Sequence, residues 1–235
     1  MRYYLFFVAQ TLIVFIAKLT QIIDSYLFTT KTQVDSYLFT KNKNIKIIGF
    51  AGVQGSGKST LSEHLQNNVQ DKIILTYSFA RPLKKGCQEF FGFTDEQLYG
   101  SLHQKTSIDK IWNHSSREIL QKMGTEFMRF LLPVFFPQMP HTTHWITLFK
   151  KFVENVPENE NVLIVLDDVR YEDEANIIQE LGGLVILIKN EKAEQQFLKL
   201  NTSHASEMFW ACNWNWSKII YNNGSIDDFL NNELK

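Results

Sequence analysis

Residues 52–59 read Gly-Val-Gln-Gly-Ser-Gly-Lys-Ser, a fit to GxxxxGK[ST]. The apolar run IKIIGF enters this segment from residue 45, and a helical pattern beginning at Lys58 leaves it. That context constrains the fold more than any other feature, because the pattern works only where a strand turns through glycines into a helix. Glycines let backbone N–H groups curl around a phosphate without Cβ clashes, and the helix N-terminus adds its dipole and free N–H groups. Gly52, Val53, Gln54, Gly55, Ser56, Gly57, Lys58, Ser59 and Thr60 are therefore read as the cradle of a nucleoside triphosphate. Lys58 is expected to reach the β- and γ-phosphates, and the Ser59 hydroxyl to ligate Mg²⁺.

From residue 45 onward, short β-branched runs alternate with helical stretches. Strands are predicted at Ile45–Phe50, Ile73–Phe79, Val162–Asp167, Leu184–Ile188 and Lys218–Tyr221. Helices are predicted at Lys58–Val69, Pro82–Phe91, Ser116–Leu132, Thr143–Val156 and Tyr171–Leu181. Such alternation implies βαβ units, so the expected fold is α/β. It is a doubly wound, mostly parallel five-stranded sheet with helices on both faces. Residues 45–235 then form one domain.

Residues 1–44 stand apart. Positions 3–17 are apolar except for Gln10 and Thr11, shorter than the roughly 20 residues a spanning helix needs. Three readings stay open: a short membrane anchor, a dispensable extension, or a cleaved signal. If the run spans, the lysines at 31, 41, 43 and 46 would keep the main domain cytoplasmic. The sequence Asp-Ser-Tyr-Leu-Phe-Thr occurs at 24–29 and again at 35–40, which reads as a local duplication in a linker. The expected location is the cytoplasm, with tethering through residues 3–17 left open.

Composition narrows the function. A net charge of −1 lacks the basic excess of an electrostatic nucleic-acid binder. Two cysteines cannot build a disulfide framework or a four-thiolate zinc site. His141 and His144 have no companion acid for zinc, and no guanine-reading [NT]KxD segment occurs in the core. Only five arginines occur against 19 lysines, and four of them, Arg81, Arg117, Arg129 and Arg170, fall in the core. Arginine presents a planar fork matched to phosphate, so this sparing use suggests a second anion site.

The segments around those arginines resemble the deoxynucleoside monophosphate kinases of bacteriophages and large DNA viruses. Ser78-Phe79-Ala80-Arg81-Pro82-Leu83-Lys84 is similar to that family's FAxPLK. Trp112, then Ser115-Ser116-Arg117-Glu118-Ile119-Leu120-Gln121-Lys122-Met123-Gly124-Thr125-Glu126 with Arg129, resembles W…[ST]PRExLQxxGTExxR. Asp168-Val169-Arg170 with Glu174 matches DxRxxxE, and His204-Ala205-Ser206-Glu207 matches HxSE. Ser116 replaces a proline, and residues 189–203 contain no arginine, so a lid would have to use Lys189, Lys192 or Lys199.

The resemblance implies a P-loop kinase with a helical insertion for the acceptor and lid. It implies ATP and a (deoxy)nucleoside monophosphate as partners and Mg²⁺ as cofactor. Lys58, Arg117, Arg129, Asp168 and Arg170 would be catalytic, the three arginines clamping the acceptor phosphate and the transferring group. Arg81, Lys84, Gln121, Trp145 and Glu174 would join Arg117, Arg129 and Arg170 in holding the acceptor. Asp168 is read either as a metal-associated acid beside Ser59 or as an acceptor-side group, with a helix N-cap as the plain alternative. Asp167 is read as structural. Trp112 and Trp145 either stack on a base or sit in the core, and His204 and Glu207 shape the lid. Other small-molecule P-loop kinases, of the dephospho-coenzyme A or phosphomevalonate type, and a non-catalytic nucleotide-binding regulator remain as alternatives. Base preference and oligomeric state, a homodimer included, are not legible.

Overall fold

A computed structural model describes residues 45–69, 72–139, 143–157, 160–199 and 204–224. The readings for positions 1–44, the apolar run and the duplication among them, lie outside these residues. Among the described residues no helix is long and apolar enough to cross a membrane.

Five strands form one sheet: β1 (Ile45–Ala51), β2 (Ile73–Tyr77), β3 (Val162–Leu166), β4 (Leu184–Lys189) and β5 (Lys218–Tyr221). They lie in the order β2-β3-β1-β4-β5, and every pairing is parallel. The expected α/β sheet is present. β3 (VLIVL) is buried at all five positions, as a central parallel strand covered on both faces must be. Each fully buried aliphatic side chain there contributes about 1.5–3 kcal/mol relative to exposure.

The helices are α1 (Lys58–Asn68), α2 (Ala80–Phe91), α3 (Asp95–Tyr99), α4 (Leu102–Thr106) and α5 (Ser116–Gln121). A π-helix (Lys122–Leu131) continues α5, and α6 (Leu132–Phe135), α7 (His144–Glu154), α8 (Glu172–Glu180) and α9 (Glu191–Lys199) follow. On one face of the sheet Leu61 and Leu65 of α1 pack with Phe50, Leu163, Val165 and Ile188. On the other, Gly49 lies so close to α8 that a Cβ there would meet Ile178 at 2.6 Å. Helix α8 ends at the pair Gly182-Gly183. Gly182 takes the left-handed conformation (φ 76°), and the Gly183 N–H donates to the Ile178 carbonyl at 2.8 Å.

Helices α3 and α4 were not expected from periodicity, being five residues each. Both start with reciprocal caps, Thr94 with Gln97 and Ser101 with Gln104. The single helix predicted over Ser116–Leu132 is instead α-helical, then π-helical, then α-helical again.

Candidate active site

The strand order decides what reaches the site. β3 lies between β1 and β2, so consecutive residues leaving its carboxyl end address different neighbours. Asp167 turns toward the loop after β1, where the Ser59 hydroxyl donates to its Oδ2 at 3.3 Å. Asp168 turns toward the segment after β2. Its carboxylate accepts from the Ser78 hydroxyl at 2.7 Å and from the N–H groups of Phe79 and Ala80 at 3.0 and 2.9 Å. The sequence reading is thereby corrected. Asp167, read as structural, stands beside Ser59, whereas Asp168 caps the start of α2 rather than its own following helix and lines the site cavity on the side away from Ser59.

The glycine loop has the backbone its motif requires. Gly52, Gly55 and Gly57 all have positive φ, and a Cβ on Gly52 would meet the Ile188 carbonyl oxygen at 2.5 Å. Lys58 folds into the loop and donates to the carbonyls of Gly52 and Val53, both at 2.8 Å. Burial, and then the nearby Arg170, lower its ammonium pKa to about 8. Val53 contributes backbone only, since its side chain packs with Ala193, Phe197 and Trp210. Asn222, after β5, donates to the Ser56 carbonyl at 2.8 Å and ties the loop to the sheet. Thr60 lies in the first turn of α1.

Ser59 and Asp167 offer a hydroxyl and a carboxylate side by side, a hard-oxygen pair that suits Mg²⁺. Among the described residues no group of three or more His, Cys, Asp or Glu could enclose a metal. A cation held here would therefore draw its other ligands from phosphate oxygens and water, as Mg²⁺ commonly does.

One cavity of about 360 Å³ runs from Gln54, Gly55, Lys58 and Ser59 to Lys84, Leu98, Lys105, Gln121 and Trp145. Arg117 and Arg170 stand over it on a shared carboxylate. Arg117 donates to Glu207 Oε1 at 2.6 Å and to Gln54 Oε1 at 3.0 Å. Arg170 pairs with the same Glu207 oxygen at 2.9 Å. Glu207 is buried, on a short turn held by His204, whose Nδ1 accepts from the Ser206 N–H at 3.2 Å. The HxSE segment was assigned to lid shape; its glutamate in fact holds two arginines.

Arg129 departs from expectation. Its side chain is 5% exposed, pairs with Asp173 at 2.6 Å and with Glu174, and lies 3.7 Å over the Tyr171 ring. Two carboxylates already neutralise it, so it braces α8 against the π-helix rather than clamping a phosphate. Glu174 is likewise structural. It accepts from Arg129 and from the backbone N–H groups of Arg170 and Tyr171, and burial pushes its carboxyl up to about 8.

Arg81 is exposed and outside the cavity. Lys84 lines it, 4.4 Å from the Tyr99 ring. Trp145 is a core residue with an edge on the cavity, its Nε1 donating to the Gly124 carbonyl at 3.1 Å. Trp112 packs on Phe91 and donates to its carbonyl, away from the cavity. Lys189, Lys192 and Lys199 do not line it.

Arg117, Gln121, Thr125 and Arg129 all line the cavity at a strict spacing of four. In an α-helix that spacing drifts by about 40° per step. The wider π turn drifts the opposite way and brings the four residues back to one side. Polar lining residues without a site role in the sequence reading include Ser78, Lys105, Thr125, Asp167, Tyr171 and Ser206, and Glu207 is read there only as lid-shaping. The Ser101-x-x-Gln104 cap was the available signal for the helix that carries Lys105.

A glycine loop between β1 and α1, a facing acid just past the end of β3 and cations across one cavity define a P-loop phosphotransferase-type site. A family model described as deoxynucleotide monophosphate kinase matches residues 88–232. A protein of Acanthamoeba polyphaga mimivirus, described as "Putative deoxynucleotide monophosphate kinase", is 32% identical over 186 residues, 78% of this chain and 91% of that protein. The chain belongs to the deoxynucleotide monophosphate kinase family. A solved structure titled "Crystal structure of APE1195" overlays at a TM-score of 0.30 with 12% identity, covering 75% of this chain and 85% of that one.

Proposed function

We propose that this chain transfers the γ-phosphoryl group of ATP to the 5′-phosphate of a (deoxy)nucleoside monophosphate, giving two diphosphates. The observation that carries the reading is Arg117. Its guanidinium touches Gln54 of the glycine loop while its helix lines the rest of the same cavity, so donor and acceptor groups face one space. Family membership supplies the nucleotide acceptor.

The acceptor phosphate has a second pKa near about 6 and is largely dianionic at neutral pH. It needs no general base, and among the described residues no histidine lines the cavity. Catalysis then rests on alignment and charge neutralisation. Lys58 leaves its loop carbonyls for the β- and γ-phosphates, and Arg117 and Arg170 meet the charge between donor and acceptor. Ser59 and Asp167 would hold Mg²⁺, which when bound would neutralise donor phosphate oxygens. Gln121 and the apolar surface of Leu83, Leu98 and Leu120 are left for the sugar and base.

Purified protein with Mg²⁺ and ATP, offered deoxy- and ribonucleoside monophosphates, dephospho-coenzyme A and phosphomevalonate, tests the reading. ADP and a nucleoside diphosphate should form in equal amounts. Preference for a non-nucleotide acceptor, or ATP hydrolysis alone, would refute it.

A further inference from the structure

Lys105 belongs to none of the sequence blocks that drew attention to the site, yet it lines the cavity beside Arg117. It sits on α4, a helix too short to hold its own direction. The anchor comes from Ser116, which is 1% exposed. Its hydroxyl donates to the carbonyls of Gln97 at 2.5 Å and of Lys105 itself at 3.2 Å. One buried hydroxyl thus joins the ends of α3 and α4 to the start of α5, at the residue immediately before Arg117. The backbone of Lys105 and that of Arg117 become a fixed pair.

The charges around Lys105 are unbalanced. Burial first, and then Arg117 and Arg170, act against its ammonium, and Glu207 is the acid that favours it. That carboxylate is already shared by the two guanidinium groups. Among the described residues neither Lys105 nor Lys84 has a carboxylate within ion-pair distance, although both are partly buried. Lys84 and Lys105 also repel one another, and the acids that favour the Lys84 ammonium, Asp168 ahead of Asp167, already serve Ser78 and the start of α2 and Ser59. Cations gathered in a half-buried cavity without enough acid select for a ligand that brings negative charge.

We infer that Lys105, positioned by the Ser116 hydroxyl, binds the acceptor's phosphate dianion together with Lys84 and Arg117, and makes the site demand a phosphorylated acceptor rather than a free nucleoside. The inference rests on the kinase reading above and adds a ligand and its positioning residue to it. Arg129 and Arg81 are thereby relieved of that duty, in keeping with the carboxylate partners of the first and the exposure of the second.

Equilibrium binding to wild type, Lys105→Met, Lys105→Arg and Ser116→Ala tests it. The probes are the deoxynucleoside monophosphates, the matching deoxynucleosides, ATP, and a sugar phosphate as a non-nucleotide monoester. Lys105→Met should weaken the monophosphates about tenfold or more, the scale of one charge-assisted contact, while nucleosides and ATP stay within about twofold. Lys105→Arg should recover most of the loss, and Ser116→Ala should show a smaller loss of the same selectivity. Equal weakening of monophosphate and nucleoside, or weakening of ATP alone, overturns the assignment. So does a wild type that binds nucleosides as tightly as monophosphates. Lys105-dependent binding of the sugar phosphate without nucleotide binding would retire the nucleotide reading and leave Lys105 a phosphate ligand.

Discussion

The two ends of the cavity are held in place by different means. At the loop end, a contiguous run from Gly52 to Ser59 is fed by β1 at the middle of the sheet, with β3 and β4 on either side. The Val169 N–H bonds the Phe50 carbonyl at 3.2 Å, and Asn222 holds Ser56 from beyond β5. At the far end, Lys84, Lys105, Gln121 and Trp145 come from four helices. Side-chain hydrogen bonds such as those of Ser116 and the carboxylate of Glu207 relate them. The sheet fixes the glycine loop directly, whereas the groups proposed to meet the acceptor are held by short helices tied to one another through side chains.

The largest effect should come from the rigid end. Lys58→Ala should lower kcat by at least about 100-fold, the scale of removing one preorganised charge from a transition state. The substitution should not lower the melting temperature. With its pKa lowered from 10.5 to about 8, Lys58 binds fewer protons folded than unfolded between those values. Stability therefore rises with pH across that window, and below it the charged ammonium carries its full cost. A lower Tm for the variant at pH 7 would show that the lysine supports the fold.

An intermediate effect is expected where the two ends meet. Glu207→Gln keeps the shape but removes the charge that gathers Arg117 and Arg170. It should cut kcat/KM for the acceptor about tenfold, equivalent to about 1.4 kcal/mol. Combined with Arg117→Ala it should cost clearly less than the sum of the two changes, because the loss through Arg117 is shared and only the release of Arg170 is added. Full additivity would dissolve the proposed coupling.

The smallest effect concerns protons. Triphosphate approaching Lys58 favours the ammonium and should draw its pKa back up from about 8. ATP binding should then take up part of a proton above pH 8, and affinity should fall by a few-fold between pH 8 and 9. Calorimetry in two buffers of different ionisation enthalpy measures the uptake. Pronounced uptake at pH 6.5 instead would point away from Lys58.

Much of the rigid end was legible because it is local. Strand, glycines, lysine and helix follow one another, and the observed strand ends lie within two residues of those expected. What failed depended on topology or partners. Asp167 and Asp168 are adjacent and chemically equivalent, and only the placement of β3 between β1 and β2 separates them. Arg129 has the residue type of a phosphate ligand, but Asp173 and Glu174, which neutralise it, lie more than forty positions away. Arg81 sits in a familiar segment but faces outward. Lys105 was hidden because a five-residue helix has no usable period, although its cap was written in Ser101 and Gln104.

The π-helix at Lys122–Leu131 has a consequence for how such a chain can vary in length. Its wide turn absorbs the drift of a four-residue spacing, so the register from Arg117 to Arg129 is tied to the residue count. Deleting one residue ahead of the wide turn, in the α-helical stretch between Arg117 and Gln121, would swing everything downstream by about 100°, one α-helical step. Thr125 and Arg129 would leave the cavity, and Arg129 would lose Asp173 and Glu174 together. The loop between Thr106 and Ser115 imposes no such periodicity, so insertions and deletions are better tolerated there than in the helix that follows it.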